Sequence, residues 1–127
     1  MKKILVVEDE PAYSKVLHDQ LTIKGYKVME AEDGEKGLEI AKREKPNLIL
    51  LDIRMPKMDG MTMLHLLRKD KAGKKIKVII LTNLEPDDKI IREAVDDQPS
   101  YYFIKSDTQL DSLMHKVKEV LEEEMAA

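Results

Sequence analysis

Leu48-Ile49-Leu50-Leu51-Asp52-Ile53-Arg54-Met55-Pro56-Lys57-Met58-Asp59-Gly60 decides the fold. Aliphatic residues run unbroken into a carboxylate, and a turn-forming Asp-Gly follows. A run of strand length without polar alternation reads as a strand covered on both faces, the usual condition in a parallel sheet. Working outward, Ile4 to Val7 and Val78 to Leu81 have the same character. Tyr26 to Ala31 and Tyr101 to Ile104 read as shorter strands.

Helical patterns fill the intervals. Ala12 to Lys24 carries an apolar stripe of Tyr13, Val16, Leu17 and Leu21, ended by Gly25. Asp33-Gly34 opens a second helix with Leu38, Ile40 and Ala41, and Pro46 closes it. Thr62 to Lys69 presents Met63, Leu64, Leu66 and Leu67. Pro86 to Val95 reads as a helix with proline near its first turn. Ser106 is expected to begin the last helix, forming a capping box with Gln109. Its buried face would be Leu110, Leu113, Met114, Val117, Val120 and Leu121. Strict alternation of strand and helix implies right-handed crossovers. The expected fold is α/β: a doubly wound, five-stranded parallel sheet in three layers. In the order 2-1-3-4-5, the switch point lies between the first and third strands, with a site at their carboxyl ends.

The 127 residues suit one domain, expected to span 1–127 with no output domain attached. A 43% hydrophobic content supports a core. The 22 basic against 25 acidic residues leave a net charge of -3, which argues against electrostatic nucleic-acid binding. The absence of cysteine excludes disulfides, thiolate metal sites and cysteine nucleophiles. No apolar run approaches the roughly 18 residues of a membrane span. The first residues lack the apolar region of a secretory signal, so a cytoplasmic location is expected.

At the expected carboxyl rim stand Glu8 and Asp9, Asp52, Thr82 and Lys105. Carboxylates brought together repel one another, and one ammonium offsets only part of their charge. The remainder calls for a divalent cation. With oxygen ligands alone, Mg²⁺ is favoured. Asp9 is expected to ligate directly and Glu8 through water, because neighbours on a strand point to opposite sides. Asp52 beside a cation, a hydroxyl and an ammonium suits phosphoryl transfer to a carboxylate. The loop Glu10-Pro11-Ala12 lacks the glycines of a nucleotide cradle.

The stretches Ile4 to Glu10, Leu50 to Gly60, Ile79 to Thr82 and Tyr102 to Lys105 together resemble a receiver domain of the bacterial two-component response-regulator family, the class that includes the chemotaxis regulator. The resemblance implies a flavodoxin-like (βα)5 fold. It implies that Asp52 accepts a phosphoryl group from a sensor histidine kinase or phosphotransfer protein. It assigns Mg²⁺ to Glu8, Asp9, Asp52 and the backbone carbonyl of Arg54, and phosphoryl contacts to Thr82 and Lys105. Thr82 and Tyr102 would form the switch. The output would be phosphorylation-dependent binding of a protein target on the face made by the Pro86–Val95 helix, the Tyr101–Ile104 strand and the final helix. Such a domain is regulatory rather than an enzyme, and assists its own phosphorylation and dephosphorylation. No membrane or direct nucleic-acid partner is implied.

The chain also departs from the family pattern. Ser106 follows Lys105 where proline in a cis bond is usual, and a cis bond before a non-proline residue costs about 3–4 kcal/mol, so a trans bond is expected. Asn83 follows Thr82 where a very small residue is usual. Asp97-Gln98-Pro99-Ser100 replaces the usual Gly-Ala ahead of the switch aromatic. Some features have plainer readings. Tyr102 suits a half-buried edge strand, and Met55, Met58 and Met61 suit packing of the loop after Asp52. The lysines at 69, 71, 74, 75 and 77 suit a solvated turn away from the rim, and His18, His65 and His115 have no metal-ligand spacing. A docking module of the same fold and an aspartyl-phosphate hydrolase are the competing functions. The hydrolase would want an acid at position 54, which is Arg54.

Overall fold

The aliphatic runs occupy the middle of a parallel sheet with strand order 2-1-3-4-5. The computed structural model describes residues 1–83, 89 and 97–126. Its elements are β1 (Lys3–Val7), α1 (Pro11–Ile23), β2 (Lys27–Ala31), α2 (Gly34–Glu44), β3 (Leu48–Leu51), α3 (Gly60–Lys69), β4 (Lys77–Thr82), β5 (Tyr101–Ile104) and α4 (Leu110–Ala126). The helix expected over Pro86 to Val95 lies outside the described residues. Val7 pairs with both Ala31 and Leu51, and Thr82 pairs with Ile104, so the strands end nearly level.

The central strands are buried because each face has its own helices. Ile4, Val6, Leu48, Leu50, Ile79 and Leu81 pack with Leu17 and Leu21 of α1 and with Leu113, Val117 and Leu121 of α4. Leu5, Val7, Ile49, Leu51, Val78 and Ile80 pack with Ala41 of α2 and with Met63, Leu64 and Leu67 of α3. Odd and even positions of each strand thus feed different layers.

Helix boundaries follow local chemistry. Pro11 starts α1 where its missing N–H costs nothing. Gly25, at φ 97°, takes the left-handed turn beyond α1 that other residues resist. The Asp33 carboxylate accepts the Lys36 N–H at 2.8 Å and caps α2. Asp59 does the same for α3, accepting the Thr62 N–H at 2.8 Å, so Asp59-Gly60 opens a helix rather than a free turn. The capping box expected at Ser106 is not formed. Lys105–Asp107 winds into a 3₁₀ turn and α4 begins only at Leu110. The physical reason is that Ser106 already sits inside that turn and gives its N–H to Asn83.

The segment leading into β5 is tied down by Arg68. Its guanidinium donates to the carbonyls of Gly73 and Ile76 (both 2.7 Å), Asp97 (2.8 Å) and Gln98 (3.1 Å). The half-buried fork therefore joins α3, the start of β4 and the approach to β5. Arg68→Ala is expected to destabilise the protein by about 2–3 kcal/mol, since these carbonyls lose a charged donor. Arg68→Lys should recover little, because an ammonium cannot span the same four acceptors. Urea midpoints of the two variants check both statements.

Candidate functional site

Strand parity explains which groups meet. Glu8 continues the face of Ile4 and Val6, Asp52 that of Leu48 and Leu50, and Lys105 that of Tyr101 and Phe103. All three therefore extend toward the layer of α1 and α4. The backbones of two of them are held by one further ladder bond each: Glu8 N–H to Ala31 carbonyl and Asp52 N–H to Val7 carbonyl, both 3.0 Å.

The result is a tight polar cluster. Lys105 Nζ lies 3.1 Å from Asp52 Oδ2 and forms an ion pair with Glu8. Glu10 reaches the same ammonium at 3.8 Å from its exposed position. The ring of Tyr13, on α1, lies 4.6 Å below that ammonium. Asp52 Oδ1 accepts the Ile53 N–H at 2.7 Å, and Glu8 Oε2 accepts the Glu10 N–H at 3.0 Å. Asp9, in contrast, is exposed. A cleft of about 280 Å³ opens over the cluster, lined by Asp9, Glu10, Asp52, Arg54, Thr82, Asn83 and Lys105. Asp52 is only 7% exposed, yet it borders this cleft. Buried Thr82 reaches it from the end of β4.

The electrostatics are uneven. Burial pushes the Glu8 carboxyl up to about 7, and the Asp52 charge adds to the rise, against the pull of Lys105 and the Glu10 N–H. Burial also works against the Lys105 ammonium, but Glu8 and Asp52 outweigh it and raise its pKa. At neutral pH Lys105 is therefore charged, and Glu8 is the group whose ionisation is costly.

That cost makes stability depend on pH. Glu8 ionises from an ordinary 4.5 when unfolded but only near 7 when folded. Below 4.5 both states hold the proton, and the native environment is not penalised. Between 4.5 and 7 the unfolded chain loses its proton first, so this group's contribution is lost as pH rises. The metal-free protein is expected to lose on the order of 3 kcal/mol from this source across the window. Glu8→Gln should flatten the fall, as measured by urea midpoints at several pH values in chelator.

Oxygen atoms of Glu8, Asp9 and Asp52 lie within 4.8 Å of one another and could hold a metal ion. A cluster of hard carboxylate oxygens beside an open cleft suits Mg²⁺, which keeps waters and phosphate oxygens in its shell. The structure thus brings Glu8, Asp9, Asp52, Thr82, Arg54 and Lys105 to one rim. Tyr102 stands apart on β5, half-buried against the layer of α2 and α3, and its strand neighbour is Ile80. No cis peptide occurs among the described residues, so the Lys105-Ser106 bond is trans as expected. Sequence reasoning missed Tyr13, which it assigned only to a helical stripe, and Glu10. For Glu10 the available signal was its position in the loop after β1, and for Tyr13 its place in the first turn of α1, directly after that loop.

Comparison with known proteins gives a consistent picture. The family model described as the response regulator receiver domain matches residues 4–118. The probable transcriptional regulator ycf27 of Porphyridium aerugineum is 46% identical over 83 residues, 65% of this chain and 33% of that protein. The chain spans about a third of the length of the curated relatives it matches. A CheY-like receiver domain protein from Methanospirillum hungatei superposes with a TM-score of 0.90 at 28% identity, covering 99% of this chain and 98% of that one. The response regulator TrrA from Thermotoga maritima, solved in complex with Mg²⁺-BeF, has a TM-score of 0.82 at 34% identity, covering 94% of this chain and 99% of that one. Among the described residues, no helix is long and apolar enough to cross a membrane.

Proposed function

From the premise that the chain belongs to the response regulator receiver domain family, we propose that Asp52 is its phosphoryl acceptor. Receiver domains are regulatory, phospho-accepting domains phosphorylated by histidine kinases. One observation carries the assignment to Asp52. Its carboxylate borders the rim cleft, 3.1 Å from the Lys105 ammonium and in the same lining as Thr82.

In the proposed reaction an Asp52 carboxylate oxygen attacks the phosphorus of a phosphohistidine. The P–N bond breaks as the new P–O bond forms, and the imidazole leaves with the electron pair. Lys105 offsets the charge that gathers on the phosphoryl oxygens, and the Thr82 hydroxyl donates to one of them. Asp9, Asp52 and the Arg54 carbonyl would hold Mg²⁺, with Glu8 acting through water; the ion would supply further charge neutralisation. Arriving charge would then bias Thr82 and Tyr102 toward a second arrangement and alter the surface beside β5 and α4, where a protein target would bind. This reading places the chain in the cytoplasm.

Incubation with acetyl phosphate and Mg²⁺ tests the assignment by intact mass. One added phosphoryl group is expected, and chelator should prevent it. An unchanged mass after prolonged exposure to several small donors would favour a constitutive docking module. Rapid turnover of a generic phosphate ester would favour a hydrolase.

A further inference from the structure

Asn83 and Ser106 lie 23 positions apart, on the loops that leave β4 and β5. Asn83 Oδ1 accepts the Ser106 backbone N–H at 3.0 Å. Each residue directly follows a group of the site: Asn83 follows Thr82, and Ser106 follows Lys105. The turn that carries Lys105 is closed from its other side by Thr108. The Thr108 hydroxyl donates to the Ile104 carbonyl at 2.8 Å, and its N–H donates to the Lys105 carbonyl at 3.3 Å. Backbone on both sides of Lys105 is thereby held: Ile104 by its pairing with Thr82, and Ser106 by the Asn83 side chain from the loop after β4. This contact needs an N–H at position 106, which serine has and proline lacks.

We propose that Asn83 is a positioning residue whose side-chain carbonyl latches the Lys105 turn to the Thr82 loop, keeping the ammonium over Asp52. This rests on the reading of Asp52 as phosphoryl acceptor. The latch couples the two loops: a backbone shift of the Thr82–Asn83 segment toward the phosphoryl group carries Ser106 along or strains this bond. Asn83 itself lines the cleft, but its effect acts through Lys105.

The test compares wild type, Asn83→Ala, Ser106→Pro and the double variant. Asn83→Ala is expected to lower the maximal rate of phosphorylation by acetyl phosphate with Mg²⁺ about tenfold, the upper end for one lost hydrogen bond, and to leave the donor concentration at half-maximal rate unchanged. Ser106→Pro removes the donor of the same bond. The double variant should then be no slower than the slower single variant. Independently, the Ser106 amide should exchange with solvent about tenfold faster in Asn83→Ala than in wild type, and Asn83→Asp, which keeps an acceptor oxygen, should restore its protection. Multiplying effects in the double variant, an unchanged maximal rate in Asn83→Ala, or equal Ser106 exchange in wild type and Asn83→Ala would each overturn the latch. If the wild-type chain takes up no phosphoryl group, the reading of Asp52 fails and the role in positioning Lys105 for phosphorylation fails with it. Protection of Ser106 by Asn83 would then show a structural tie and no more.

Discussion

An Asp52→Asn variant is expected to take up no phosphoryl group from acetyl phosphate with Mg²⁺, and to melt above the wild type in chelator. The first effect is a complete loss. An amide oxygen is a poor nucleophile toward phosphorus, and among the described residues no other carboxylate combines Asp52's burial with contact to the cleft and the Lys105 ammonium: Asp9 and Glu10 are exposed, and Glu8 is engaged by Lys105 and the Glu10 N–H. The second effect follows from the crowding of Glu8, Asp9 and Asp52 within one cluster. Removing one charge lowers the cost of ionising Glu8, whose pKa the Asp52 carboxylate helps to raise. Asn retains an acceptor for the Ile53 N–H, so that backbone contact survives. The variant gives up its ion pair with Lys105, but the ammonium keeps Glu8. A net gain of about 1 kcal/mol is expected, which for a chain of this size raises Tm by roughly 3–6 °C. Mass spectrometry and a thermal melt in chelator read the two outcomes. Full phosphorylation of the variant would move the acceptor to another residue. A lower melting temperature would show that the Asp52–Lys105 pair outweighs the repulsion.

Gly60→Ala is expected to cost about 3 kcal/mol or more and to impair the same phosphorylation. A Cβ on Gly60 would overlap the backbone carbonyl oxygen of Asp52 and press on the Ile53 Cα. Backbone cannot swing aside as a flexible side chain can, so either α3 or the end of β3 must shift. The Gly60 N–H donates to the Ile53 carbonyl at 2.7 Å, and that bond would be strained as well. Because the displaced atoms belong to Asp52 and its neighbour, the stability loss should come with a slower reaction. Urea denaturation and the acetyl phosphate assay measure the two. A variant of wild-type stability would mean that α3 can retreat without cost.

Much of the fold was legible in short-range pattern. Leu48 to Leu51 read as a doubly covered strand because covering both faces leaves no room for polar alternation, and all four residues are buried. Asp33 was legible as a helix start because a carboxylate satisfies N–H groups only two or three residues away, whereas Asp59 read as a turn and its cap on the Thr62 N–H emerged only in the structure. The end of β5 was less legible. Ser106 and Gln109 have the spacing of a capping box, but spacing does not show that the Ser106 N–H has a stronger claim from Asn83. The helix expected over Pro86 to Val95 lies outside the described residues.

The candidate site divides in the same way. Unbroken apolar runs ending at Glu8 and Asp52, in strands expected to lie parallel, were enough to expect acidic groups at a common rim. The pairing of Glu8 with Lys105, the Tyr13 ring under that ammonium, the Arg68 fork and the Asn83 latch came only from the tertiary structure. The physical reason is range. Periodicity and capping are decided within a few residues of chain, whereas Lys105 and Asp52 stand 53 positions apart. Such groups acquire neighbours, and burial acquires its hold over the Glu8 proton, only when the sheet closes and excludes the water that separates them in the unfolded chain.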